Sequence, residues 1–254
     1  MLSQGNRFKE GLGGDAPQLG LWVSLCSAAS AEISAHSGAD WLLVDMEHSP
    51  NEVATVADQL RAVGDAASVI VRPPVSEPIV TKRLLDIGIK TLMFPMIDTP
   101  EQAREVVSWT RYPPHGTRGI SGVVRATGYG RDTGYLARTL KETCVIVQAE
   151  TPLALENIEA IAAIDGIDAI FIGPGDLAAS LGFVGHMNAP EVQDRIADAL
   201  TRINATGKGS GVLAYGSSAC ARALGQGAGF VAIGADTWLL ARETTELVNS
   251  CRRS

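Results

Sequence analysis

Eight short, near-continuous apolar runs recur along the chain, and this recurrence limits its possible folds more than any other feature. They are LGLWVSL (19–25), WLLVDME (41–47), SVIVRP (68–73), TLMFPMI (91–97), CVIVQAE (144–150), AIFIGP (169–174), GVLAY (211–215) and FVAIGA (230–235). A strand with one wet face alternates apolar with polar residues. Unbroken runs instead suit parallel strands covered on both faces. Amphipathic stretches lie between the runs, such as EQAREVVSWT (101–110) and EVQDRIADALTRI (191–203). Helix-start signals follow several of them. Ser49-Pro50-Asn51-Glu52 and Thr99-Pro100-Glu101-Gln102 each place a capping hydroxyl before Pro and a Glu or Gln three residues on, and Thr151-Pro152 begins the same way. Eight strand–helix alternations predict an α/β fold of the (β/α)8 barrel type, one domain over residues 1–254. A doubly wound open sheet is disfavoured because no G-x-G-x-x-G follows the first strand. Residues 1–16 are polar and Gly-rich without an apolar centre, so they are expected to form a loose arm or an initial cap, not a signal peptide.

Composition excludes several classes. The formal net charge of −7 makes nucleic acid or an anionic membrane a poor partner. No uninterrupted apolar run approaches membrane-spanning length. Cys26, Cys144, Cys220 and Cys251 form no C-x-x-C and read as reduced thiols, small buried apolar groups of a cytoplasmic protein. The lysines stand at 9, 82, 90, 141 and 208, none at the end of an apolar run, which argues against a Schiff-base mechanism. GQGAGF (225–230) precedes a strand and does not open a helix, so it reads as a tight turn.

A barrel carries its site at the C-terminal ends of its strands. There the second run delivers Asp45, Glu47 and His48, the third Arg72, the fifth Gln148 and Glu150, and the sixth Gly173-Pro174-Gly175-Asp176. Gln148 and Glu150, two apart, face the same way. Glu150 and Asp176 converge from neighbouring strands, which leaves open a shared proton or a hard divalent cation; Asp176 could equally cap a helix. Arg72 suits either a structural pair with Asp45 or Glu47, or a substrate oxyanion. His48 stands three residues after Asp45, whose carboxylate would orient and strengthen it as an acid/base. His36, His115 and His186 lie in a helical stretch and in loops, and no role is expected of them.

The motifs LLVDMEHSP, VRPP, LLDIG, FPMIDT, TRYPPHGTRG, VQAET and IFIGPGDLAASLG occur in order from about Leu19 to about Arg242. Together they resemble the HpcH/HpaI aldolase family of class II pyruvate aldolases. The resemblance implies a (β/α)8 barrel that reversibly cleaves a 4-hydroxy-2-oxo acid to pyruvate, or hydroxypyruvate, and an aldehyde through an enolate. It also implies one divalent ion per subunit: Mg2+, Mn2+ or Co2+. By matched position, Glu150 and Asp176 would bind the metal. Gln148 and the backbone of Gly175 would contact substrate, Arg72 would stabilise the enolate oxygen, and Trp22 would form an aromatic wall. His48 would be the acid/base, with Asp45 as its partner and Asp86 raising its basicity. Glu47 either holds a metal-bound water or pairs with Arg72. The aldehyde partner would depend on pocket shape near Leu213, Val123, Val124 and the neighbouring chain. Where many relatives read GPADL, this chain reads GPGDL at 173–177. The nearest alternative is a metal–enolate lyase of the citrate lyase β-subunit or malyl-CoA lyase type.

The family further implies a homo-oligomer, a hexamer built as a trimer of dimers with C-terminal helices exchanged. The long Gly- and Arg-rich connection 111–134 and TWLLARETTELV (237–248) would then meet other subunits. Part of the 118–131 loop is expected to close a neighbour's site.

Overall fold

The computed structural model describes residues 5–253. Eight parallel strands pair in sequence order and close into a barrel: β1 Gln18–Val23, β2 Trp41–Asp45, β3 Ser68–Arg72, β4 Thr91–Phe94, β5 Cys144–Ala149, β6 Ala169–Ile172, β7 Gly209–Leu213 and β8 Phe230–Ala235. Each lies within two residues of its apolar run at the N-terminal side, and most stop short of the polar groups that follow the run. Helices return over the outside. Those at Pro100–Thr110 and Pro190–Ala205 match the amphipathic stretches.

Two apolar layers explain why the runs are unbroken. Val44, Val71, Leu92, Val147, Ile170 and Val231 point outward under the helices. Trp22, Trp41, Leu43, Ile70, Met93, Ile146, Phe171 and Phe230 fill the interior. The aromatics need space. A Cβ on Gly20 would meet Trp41 at 2.1 Å, so only glycine fits opposite that ring.

The N-terminal end of the barrel is sealed, so of the two expectations for the first residues, a loose arm or an initial cap, the described part follows the second. Residues Arg7–Gly11 form a helix capped by Asn6, and Phe8 is fully buried, edge-on to Phe230 at 5.2 Å and to Trp41 at 6.0 Å. The Asn6 amide donates to the Glu142 carbonyl (2.9 Å) and to Thr91 Oγ1 (3.0 Å). A single phenylalanine in a polar stretch carries no periodic signal, yet it plugs the barrel floor.

The helix-start signals divide. Thr99 and Gln102 form a reciprocal capping box, and Thr151 accepts the Ala154 N–H at 3.0 Å. Ser49 does not cap a helix. The helix starts at Val53 with Glu52 as its N-cap. The Ser49 hydroxyl and the Asn51 amide (2.8 Å) both donate to the Asp45 carbonyl instead. The Ser-Pro-Asn segment therefore ties down the exit of β2. Segment 111–134 crosses the surface with one short 3-10 turn, Arg125–Thr127, before the helix Tyr135–Glu142. Among the described residues no helix is long and apolar enough to cross a membrane.

Candidate active site at the barrel mouth

The pairing of β2 with β3 sets Asp45 directly beside Arg72, and both side chains are buried. Arg72 grips Asp45 with two parallel bonds, Nε to Oδ1 at 2.8 Å and Nη2 to Oδ2 at 2.9 Å. Its Nη1 reaches Glu47 Oε2 at 2.8 Å and Gln148 Oε1 at 3.4 Å. Trp22 lies against the guanidinium, 5.4 Å from ring centroid to Cζ. Burial alone would lower the Arg72 pKa. The Asp45 hydrogen bonds and the charges of Asp45, Glu47 and Glu150 outweigh it, so the group stays cationic.

The fifth strand adds the second half. Gln148 Nε2 donates to Glu150 Oε2 at 2.6 Å, and the Met96 N–H donates to Oε1 at 2.9 Å. Met96 sits at φ +55°, a left-handed turn that delivers this N–H. Gly173 leaves room for the carboxylate, since a Cβ there would stand 2.3 Å from Oε2. Burial pushes the Glu150 pKa up to about 7. The Met96 N–H opposes this, while the nearby charges of Asp176 and Glu47 add to it. Glu47 is raised too, by burial against the pull of Arg72. Gly175 and Asp176 open the helix Pro174–Ser180 at the rim. They line a cavity of about 330 Å3 together with Trp22, Asp45, His48, Arg72, Gln148 and Leu213.

His48 stands at this rim as expected, but its ring does not engage Asp45. The Asp45 oxygens accept Arg72 and the backbone N–H groups of Glu47 (3.1 Å) and His48 (3.3 Å), so none is directed to the imidazole. The ring is 65% exposed and points Nε2 at Glu47 Oε2, 4.0 Å away. Asp86 is not brought here by its own chain. It ends the helix Pro78–Asp86, five residues before β4 starts at the opposite end of the barrel, and binds Arg118 Nη2 at 2.7 Å. Val123 and Val124 do not line the cavity of their own chain. Lys90 and Lys208 lie at the strand-entry end, donating to the carbonyls of Gly5 and Ile167.

The cavity also takes Ser24, Phe171, Tyr215, Ala235 and Thr237, which sequence reasoning missed. Tyr215 closes the GVLAY run and its position alone was a usable signal. Met96 was hidden because it acts through its backbone.

Asp45, Glu47 and Glu150 therefore all act on one guanidinium, which Asp45 and Glu47 already more than neutralise, and Asp176 adds its charge to Glu47 and Glu150. The surplus falls on Glu150 and Asp176, a donor set suited to a hard cation. Among the described residues no three His, Cys, Asp or Glu side chains gather as a complete metal cage. Two carboxylates with water and substrate oxygens are a usual Mg2+ arrangement.

Known proteins fit this picture. The chain is 47% identical over 247 residues to the hydroxypyruvate/pyruvate aldolase of Deinococcus radiodurans, covering 96% of this chain and 89% of that one. It is 48% identical over 249 residues to the 4-hydroxy-2-oxovalerate aldolase of Rhodococcus jostii, covering 97% and 96%. A crystal structure of an HpcH/HpaI aldolase/citrate lyase family protein from Burkholderia cenocepacia superposes with a TM-score of 0.94 at 40% identity, over 97% of this chain and 99% of that one. Residues 18–242, from the start of β1 to beyond β8, match the sequence pattern of the same family, and the chain belongs to the HpcH/HpaI aldolase/citrate lyase family.

Proposed function

We propose that this protein is a class II pyruvate aldolase, reversibly cleaving a 4-hydroxy-2-oxo acid to pyruvate, or hydroxypyruvate, and an aldehyde. The observation that carries the reading is the surplus of carboxylate at Glu150 and Asp176 beside a buried, neutralised Arg72. Relatives with aldolase activity at 47% and 48% identity support it. A divalent ion, Mg2+, Mn2+ or Co2+, held by Glu150 and Asp176, would supply Lewis-acid stabilisation of negative charge on the oxo acid.

The chain's own groups do the rest. Gln148 and the Gly175 N–H orient the substrate carboxylate. In the cleavage direction His48 takes the proton of the C4 hydroxyl. The C3–C4 bond then breaks, the aldehyde leaves, and the electron pair passes to the C2 oxygen. Arg72, fixed by Asp45, stabilises the enolate so formed. The proton returns to C3 through the His48 system and gives pyruvate. Glu47, 4.0 Å from the His48 ring, is the carboxylate placed to support the imidazolium.

The decisive assay is metal-dependent release of pyruvate from 4-hydroxy-2-oxo acids, coupled to lactate dehydrogenase, beside cleavage of malyl-CoA. The thioester-lyase alternative is disfavoured because Arg72 is the one Arg or Lys lining the cavity among the described residues. Activity on malyl-CoA alone would reverse that choice. The protein is further proposed to work in the cytoplasm as a hexamer. In support, Ile120, Val123 and Tyr129 of the 111–134 segment and Leu240, Leu247 and Val248 of the last helix are exposed apolar groups. A fully active monomer in sedimentation would contradict the assembly.

A further inference from the structure

We infer that Tyr215, braced by Trp238, selects the aldehyde partner, favouring uncharged aldehydes whose flat, apolar substituent rests against the phenol ring. This rests on the aldolase reading and deepens it. The cavity is lined by apolar groups as well as charged ones: Phe171, Leu213, Tyr215 and Ala235 beside Asp45, Arg72, Gln148 and Asp176. The charged and amide groups are engaged with the oxo acid, which leaves the apolar ones for the substituent beyond C4.

Tyr215 is placed with little freedom. It follows β7 by two residues and directly precedes Gly216, whose φ of +81° turns the backbone into the helix Gly216–Gly225. Its ring lies 5.2 Å from that of Trp238, at 58°. Trp238 is itself packed. A Cβ on Gly234 would come within 3.3 Å of it, and the Arg242 guanidinium lies 4.2 Å from its ring centroid. Both rings pack on the aromatic interior of the barrel. A ring held this firmly offers a ready stacking surface at low entropic cost.

Charge narrows the choice further. Among the described residues Arg72 is the one Arg or Lys of the cavity; Asp45, Glu47 and Gln148 take four of its five N–H groups, and the fifth is committed to the enolate oxygen. Nothing in this chain is left to receive a carboxylate or phosphate on the aldehyde, and Asp45 and Asp176 repel one.

The test is aldol addition of pyruvate, with Mn2+ present, to benzaldehyde, glycolaldehyde, butanal and succinate semialdehyde. Deuterium exchange into the pyruvate methyl group, without aldehyde, reports enolate formation separately. The parent protein is expected to prefer benzaldehyde to glycolaldehyde, and butanal to succinate semialdehyde. Tyr215→Ala should lower the benzaldehyde-to-glycolaldehyde ratio of kcat/KM by about tenfold, while Tyr215→Phe keeps it. Tyr215→Leu, which retains apolar volume without a ring, repeats the test should the alanine variant not fold. Exchange present with the parent ratio kept in the Ala and Leu variants overturns the inference. Loss of the ratio in Tyr215→Phe, or preference for the semialdehyde, overturns it equally. Absence of exchange in the parent overturns the aldolase reading instead, so the two failures are distinct.

Discussion

The two ends of the barrel treat a glutamate in opposite ways, half-buried at the floor and buried at the mouth. At the floor, Glu142 pairs with Lys90 at 3.1 Å and with Arg138 at 3.0 Å. Burial works against its charged form, but the Gly5 N–H and the lysine outweigh it and hold the carboxyl below its usual range. At the mouth, Glu150 is given one N–H and one amide, and its pKa climbs to about 7. Cavity size does not separate the ends, since the floor holds one of about 370 Å3 and the mouth one of about 330 Å3. Charge balance does. The floor spends its polar groups on stability, and the mouth leaves an electrostatic debt that a cation and a substrate can settle.

Breaking the mouth at its most buried pair should have the largest effect. Arg72→Ala leaves Asp45 buried without its partner, so stability in urea should fall by about 3–5 kcal/mol, with pyruvate release lost besides. His48→Ala sharpens the contrast. The ring is 65% exposed, so the melting temperature should hold while kcat falls by roughly 10²–10⁴. Phe8→Ala is the floor's counterpart: about 3–5 kcal/mol less stability, with kcat/KM preserved in the folded fraction.

The pH dependence separates the two glutamates more finely. In the metal-free protein Glu150 titrates near 7, against an ordinary value of 4.5. Between these the folded state binds more protons than the unfolded one. The stabilisation is complete below the ordinary value and is lost as pH rises through 7, a swing of about 3 kcal/mol. Glu150→Gln should flatten it in urea melts. Glu142, lowered, contributes in the opposite sense: its stabilisation holds above its ordinary value and fades as pH falls below it. The smallest effect belongs to Asp168, which binds Lys9 at 3.0 Å and the Val145 N–H at 2.9 Å at the floor. Asp168→Ala should cost roughly 1–2 kcal/mol and leave kcat unchanged.

Much of the barrel was legible because both of its layers are apolar, which makes parallel strands readable as runs. Site positions at strand ends followed from the topology, and Arg72, Gln148 and Glu150 do gather there. What escaped was non-local or acted through the backbone. Ser49 carried a helix-cap signal but is drawn to the Asp45 carbonyl. Asp45 was expected to orient His48, yet the bidentate grip of Arg72 uses both of its oxygens. Asp86 follows its helix to the far end of the barrel, where Arg118 takes it. Met96 and Phe8 carried no pattern at all, since one contributes an N–H and the other a single ring.

The central claim is that the surplus carboxylates at the mouth bind a divalent cation that pyruvate release requires. Calorimetric titration with Mn2+ across pH 5 to 8, paired with the coupled pyruvate assay, tests it most directly. One site per subunit is expected, with affinity weakening about tenfold per pH unit below about 7 as protons compete for Glu150. Binding should be lost in Glu150→Gln and Asp176→Asn, and activity abolished by EDTA and restored by Mn2+. Undiminished binding in both variants, or pyruvate release that persists in EDTA, would contradict it.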